Sequence, residues 1–266
     1  MDKRNFIKTL GALSFSPMIS ASEFSKNYSL SKNLPKIDND DELWKTVRSH
    51  YTLKDDYINL ESGYYNIIPE PILDHFIKHV KHVNIEGSYY MRYDLNKNKQ
   101  RVTKELAKLV GSTPDQIAIT RNATESLDLV ISGFPWQKGD EAIYAKQDYG
   151  TMKEMFEQIS DRYCVVNKII SVPNHPKNDE EIVSLYESQI TKKTKLIMVC
   201  HMINITGQIL PIKKICEMAH SHGVEVMVDG AHCVGMFDFS IDDFNCDYYV
   251  SSLHKWLATP LGAGLL

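Results

Sequence analysis

Seven short apolar runs separated by helical patterns constrain this chain more than anything else in it. They are Ile117 to Thr120, Glu141 to Ala145, Val165 to Val172, Leu196 to Cys200, Val224 to Val228, Tyr248 to Ser251 and Gly262 to Leu266. Stretches with helical spacing separate many of them, at 124–134, 149–162, 179–190 and 211–222. Near-continuous apolar strands are buried on both faces, and the intervening helices supply the cover. The expected fold is therefore α/β: a three-layer α/β/α arrangement around a mostly parallel seven-stranded sheet, with the chain ending in the seventh strand. Upstream, the pattern predicts a short helix over Asp41 to His50 and an extended segment with a turn from Tyr57 to Gly63. A helix opened by Pro69 and Pro71 is predicted to run to about Glu86, and an amphipathic one from Lys97 to Val110, stopped by Gly111.

Ligands of such sheets bind outside the carboxyl ends of the strands, so the residues that follow each strand matter most. After the first strand comes Thr120 to Ser126 (TRNATES), leading straight into a helix. Asn122 can cap that helix, and the free N–H groups of Ala123 and Thr124, with the Thr124 hydroxyl, suit a phosphate; a plain N-cap is the alternative. Tyr149 follows the second strand and places an aromatic ring at the rim. Asn204 lies on the turn after the fourth strand (His201 to Gly207, HMINITG). Asp229 and His232 follow the fifth, and Ser252, His254 and Lys255 the sixth. A carboxylate ending a buried strand is costly unless paired with a cation. A lysine that is desolvated or set beside other cations can form an imine. Helix-terminus anion site, aromatic face, aspartate and lysine along one sheet edge fit pyridoxal phosphate. That cofactor needs a lysine, an acid for its ring nitrogen, a phosphate cradle and a group to stack on.

Composition excludes several alternatives. The 266 residues suffice for one large α/β domain or two small ones, and 43% hydrophobic with 24% charged residues is ordinary for a soluble globular chain. A net charge of −4 gives no reason to expect nucleic acid or an anionic membrane as partner. No stretch of about 18 apolar residues is present, so no membrane span is expected. The five cysteines form no CxxC pair and read as mostly buried thiols. No G-x-G-x-x-G follows a first strand, which ranks a nicotinamide-binding Rossmann domain low. His75, His79 and His82 share one helix face at i, i+4 and i+7, but no carboxylate or cysteine at complementary spacing supports a metal site. With Lys78 and Lys81 between them, a solvated basic face is expected.

At the other end, Met1 to Lys8 is charged, Leu10 to Ile19 is mildly apolar and Ser20 to Ser22 is small. That is the layout of an export signal, assigned to residues 1–21. Lys3 to Lys8 (KRNFIK) resembles a twin-arginine signal with lysine in place of the first arginine. Export to the periplasm is the expectation, a cytoplasmic protein the alternative. Residues 22–56 read as a linker and N-terminal arm, and 57–266 as the cofactor-binding large domain.

Thr120 to Glu125, His201 to Gly207, Val228 to His232 (VDGAH) and Ser252 to Lys255 (SLHK), in that order, resemble the class V aminotransferase family. That family contains the cysteine desulfurases and the isopenicillin N epimerase-like enzymes, all of pyridoxal-phosphate fold type I, and the resemblance runs from about Ile58 to the last residue. It implies that Lys255 forms the Schiff base and shuttles the substrate's α-proton, and that Asp229 pairs with the pyridinium nitrogen. Asn204 and His232 would lie near the phenolic oxygen. Ala123, Thr124, Ser252 and His254 would hold the phosphate. Tyr149 would stack on the ring, where the family's desulfurases carry histidine; this leans towards the epimerase-like or aminotransferase-like members. The resemblance further implies an amino acid or related amine as substrate and a homodimer. The family's C-terminal small domain is absent or truncated. Ending in a buried strand would leave ladder partners uncovered, so a fragment of a longer enzyme is expected. The alternatives are a cysteine desulfurase or selenocysteine lyase, and a truncated, non-catalytic cofactor-binding relative.

Overall fold

All seven apolar runs become strands of one sheet. In the computed structural model, which describes residues 40–266, they are β1 (Ile119–Thr120), β2 (Glu141–Ala145), β3 (Val166–Ile170), β4 (Thr194–Cys200), β5 (Glu225–Asp229), β6 (Tyr248–Ser252) and β7 (Gly264–Leu265). The spatial order is β1-β7-β6-β5-β4-β2-β3. Every pairing is parallel except those of β7, which runs antiparallel to both β1 and β6. The connection from β6 to β7 is too short for a crossover helix, so the chain turns back on itself. The stretch expected to be an export signal and the first part of the expected linker lie outside the described residues.

The helices are α1 (Asp40–Arg48), α2 (Glu70–Glu86), α3 (Ser88–Tyr93), α4 (Leu95–Val110), α5 (Ala123–Gly133), α6 (Gly150–Tyr163), α7 (Asp179–Glu187) and α8 (Ile212–Ser221). Strand alternation sorts the core into two layers. Ile143, Ile197, Val226 and Val228 pack with Leu106 and Val110 of α4, Ile182 and Tyr186 of α7 and Ile215 of α8. Ala142, Tyr144, Leu196, Met198 and Met227 pack with Leu127 and Ile131 of α5 and Met152, Phe156 and Ile159 of α6. This is the expected three-layer α/β/α order. Central strands are buried along most of their length, whereas on the edge strand β3 Val166 and Ile169 reach solvent.

Three local expectations change. The neighbouring strands β1 and β7 are shorter than their apolar runs, although Ala118 and Leu266 continue the ladder by exchanging backbone hydrogen bonds of 2.7 and 2.9 Å. The separate turn of helix α3 has no apolar period to announce it; Gly87, at φ 53°, breaks it from α2. The histidine face of α2 is not simply solvated. His79 and His82 set their ring edges against Tyr90 of α3, at centroid distances of 5.8 and 6.2 Å. Burial, then His75, His82 and Arg101, lower the His79 pKa. Among the described residues no group of three or more His, Cys, Asp or Glu side chains is placed to hold a metal.

One glycine ties the sheet to the helix terminus that matters below. A Cβ on Gly264 would lie 2.7 Å from the Asn122 backbone and from Thr120 Oγ1, so β7 meets the start of α5 only without a side chain there. Gly264→Ala is expected to lose ~1–3 kcal/mol through overpacking, read as a lower urea midpoint; an unchanged midpoint would show that β7 can shift freely.

Candidate active site

Parallel pairing brings the ends of β4, β5 and β6 to one height, with Cys200 opposite Asp229 and Asp229 opposite Val250. The residues just past these ends, together with the start of α5 and residues 57–66 before α2 (the arm, distinct from the stretch 22–56), enclose a cavity of about 750 Å³. All nine residues expected at the site line it: Ala123, Thr124, Tyr149, Asn204, Asp229, His232, Ser252, His254 and Lys255.

The α5 terminus is built as a reciprocal cap. Asn122 Oδ1 accepts the Glu125 N–H at 2.8 Å, and Glu125 Oε2 accepts the Arg121 N–H at 2.7 Å. The Ala123 N–H is not free as the motif alone suggested; it donates to Ser252 Oγ at 2.9 Å. That bond stitches the end of β6 to the helix terminus, and a hydroxyl that accepts can still donate onward. His254 is buried nearby with Nδ1 lacking a hydrogen-bond partner. Asn204 sits on a loop closed by pairing of Met202 with Ile209 and by Gly207 at φ 72°, and Tyr149 stands at the start of α6, partly exposed.

Asp229 is buried, and burial raises its pKa against the opposing pull of the Ala231 N–H and Lys255. The Ala231 N–H donates to Oδ1 at 3.0 Å, and Cys200 Sγ approaches Oδ2 at 4.0 Å. Asp229 makes no ion pair within hydrogen-bonding reach among the described residues, so its charge is left for a ligand. A second buried acid lies behind it: Asp148 accepts the Ala145 N–H at 2.7 Å through Oδ2, while Oδ1 has no partner. Burial pushes Asp148 up to about 7.

Lys255 lies on the turn after β6, held by Ala258 N–H donating to its carbonyl at 3.1 Å, with Ala258 in the left-handed region at φ 55°. Burial lowers the pKa of the amine, while Asp229 and Glu61 pull the other way. Its Nζ is 2.9 Å from His232 Nε2, and Trp256 Nε1 donates to His232 Nδ1 at 3.1 Å. Burial and the neighbouring Lys255 bring His232 down to about 4. His201, from the same motif as Asn204, faces away from this set: its Nδ1 meets the Tyr249 hydroxyl at 2.9 Å and its ring edges meet Phe237, Phe239 and Phe244.

Several cavity residues were not picked out from the sequence. Glu61, Gly63 and Tyr64 of the arm line it, Glu61 Oε1 accepting the Gly63 N–H at 2.6 Å. Cys200, Arg121 and Trp256 line it too. Trp256 had a signal, adjacency to the lysine; the arm had none beyond its turn, because its approach is purely tertiary.

The profile of the aminotransferase class-V family matches residues 67–266. The chain belongs to that family. It is 27% identical over 223 residues to an isopenicillin N epimerase of Streptomyces clavuligerus, covering 84% of this chain and 56% of that protein. A probable cysteine desulfurase of Synechocystis is 25% identical over 239 residues, with the same two coverages. Among solved structures, a C-DES mutant with glycine covalently linked to its PLP cofactor superposes with a TM-score of 0.72 at 23% identity, over 82% of this chain and 58% of that one, which supports the fold. The chain thus spans a little over half the length of these relatives.

The residues present fit pyridoxal phosphate on their own chemistry. A desolvated amine, a buried carboxylate without a cation, a capped helix terminus and the unpartnered His254 Nδ1 converge on one cavity. Asp148 yields a separate test. Its folded pKa lies above the unfolded 3.8, so it favours the folded state most at low pH, and this contribution is lost as pH rises through about 7. Asp148→Asn is therefore expected to raise the melting temperature at pH 8 relative to the parent chain, with the gain shrinking towards pH 4. A gain that does not depend on pH would contradict the buried, protonated assignment.

Proposed function

We propose that this protein is a pyridoxal-phosphate enzyme acting at Cα of an amino acid or related amine, of the isopenicillin N epimerase-like or aminotransferase-like kind. The observation that carries this reading is the partly buried Lys255 amine sharing a cavity with Asp229 and the α5 terminus. When bound, the cofactor supplies an electron sink for bonds broken at Cα. Lys255 would hold it covalently and afterwards take and return the proton at Cα. Asp229 would face the ring nitrogen, where an ionised carboxylate keeps that nitrogen protonated. Ser252, Thr124 and His254 would bind the phosphate at the helix terminus, where backbone N–H groups and the helix dipole favour an anion. Tyr149 would cover the ring, and His232 and Asn204 would approach its oxygen. Cys200 lines the cavity, but burial raises its thiol pKa far above the range of a reactive thiolate, so it does not serve as a sulfur carrier.

With added cofactor the protein is expected to absorb in the visible, and borohydride to fix the cofactor on Lys255, read by peptide mass. Lys255→Ala should lose both and, in any turnover, at least ~10²-fold, the scale of a positioned proton-transfer group. Cofactor bound equally well and held covalently by the Ala variant would sink the assignment.

The same reading includes a homodimer. Ile58 and Leu60 of the arm are 84% and 89% exposed, and Tyr64, Ile85, Tyr89 and Tyr93 are exposed along with them. Leu60 and Tyr64 also border the cavity mouth. A set of exposed apolar side chains this large suits a protein surface rather than water, and a second copy would cover it while closing the site. Light scattering is expected to give twice the chain mass, with Leu60→Asp shifting the protein to monomer; a monomeric parent chain would refute the dimer.

A further inference from the structure

We propose that Trp256 is a positioning residue that fixes the tautomer of His232 and thereby holds Lys255 as a free amine. The inference rests on the reading of Lys255 as the imine-forming lysine, and it follows from counting protons. An indole N–H only donates, so the 3.1 Å contact from Trp256 Nε1 requires a lone pair on His232 Nδ1. A neutral imidazole with an unprotonated Nδ1 carries its proton on Nε2. That Nε2–H faces Lys255 Nζ at 2.9 Å, and it can be accepted only by an amine that keeps its lone pair. The other arrangements fail. An ammonium at Lys255 would need Nε2 as acceptor, leaving the ring without a proton on either nitrogen. An imidazolium would set its Nδ1–H against the indole N–H. Of the patterns these three side chains can take, only Trp256 N–H to Nδ1, then Nε2–H to a neutral amine, satisfies every contact.

The surroundings agree. His232 is partly buried and stays neutral down to about pH 4. Asp229 at the end of β5 and Glu61 of the arm favour the ammonium, as does Cys200 at the end of β4 if ionised, while burial, the first influence, opposes it and lowers the pKa of the amine. His254, on the same turn, has its own pKa lowered, by burial first. An imine forms only from the unprotonated amine, so the Trp256–His232 pair prepares the nucleophile before any ligand arrives. The cost of mispairing a buried donor with a donor is what gives the indole its hold on the ring.

The test uses the cofactor-free full chain with ¹⁵N-labelled histidine, His232 being assigned by the signals missing in His232→Gln. Above pH 5, Nδ1 is expected at the pyridine-type position and Nε2 at the pyrrole-type position. In Trp256→Phe both nitrogens should move towards averaged shifts, because nothing then excludes the Nδ1–H form. In the same variant the pH midpoint of Lys255 reductive methylation should rise by roughly one unit, the scale of one lost hydrogen bond, since Nε2 can then accept from the ammonium. An Nδ1–H tautomer in the parent chain overturns the proposal, and so do shifts and a midpoint unmoved in Trp256→Phe. Should the variant not fold, the parent spectrum alone decides. Failure of borohydride to fix the cofactor on Lys255 would instead strike the imine reading, leaving the tautomer result standing.

Discussion

The parallel register of β4, β5 and β6 is the constraint on which the rest depends. It sets Cys200 against Asp229 and Asp229 against Val250, so three chain segments leave the sheet together and their next residues share one space. A one-residue slip in a strand turns every side chain to the opposite face. Asp229 would then point into the other core layer, where an unpaired carboxylate is costly. The apolar runs at the centre of these strands prevent this, because both of their faces must meet helices of matching shape.

Polar groups at the strand ends are held by backbone rather than by opposite charge. Ala231 N–H binds Asp229, Ala145 N–H binds Asp148, and the Ser251 hydroxyl donates to the Gly230 carbonyl at 2.9 Å. Backbone donors fix the carboxylates without neutralising them. Where a side chain does bind another, as Trp256 with His232 and His232 with Lys255, the bond selects a protonation state. The neighbouring His201 shows the contrast. Burial takes it down to about 4, but its partner is the Tyr249 hydroxyl inside an aromatic cage, so it braces the wall of the site and faces no ligand.

The site is completed from outside the alternating part of the chain. The arm reaches it through Asn66, whose N–H donates to the His254 carbonyl at 3.1 Å, and through Glu61, whose carboxylate is occupied with the Gly63 and Tyr64 N–H groups. At Gly63 the arm comes close to the site, since a Cβ there would meet Glu61 Oε1 at 2.9 Å and His232 Cε1 at 3.2 Å. Helix α5 enters by the same kind of close approach at Gly264. The cavity therefore has a rigid floor of strand ends and walls that arrive through two glycine contacts.

Sequence alone determined the layering and the strands, and it singled out nine residues that the fold gathers around one cavity. Their signals are local: apolar runs bounded by turns, helical periods, a capping asparagine, and polar residues placed where a parallel strand must end. The separate turn of α3, the shortening of β1 and β7 and the Tyr90 packing of His79 and His82 were not legible, because each depends on what a neighbouring element allows. Tertiary structure alone decided that Ser252 takes the Ala123 N–H, that the arm lines the cavity, and that Trp256 meets His232. These contacts join residues far apart in the chain or on opposite sides of a turn. Hydrogen-bond direction and burial, which no local pattern encodes, choose among the partners within reach. Lys255 is the clearest case: its position follows from the strand that precedes it, and its protonation from the contact of Trp256 with a histidine that only the fold brings to it.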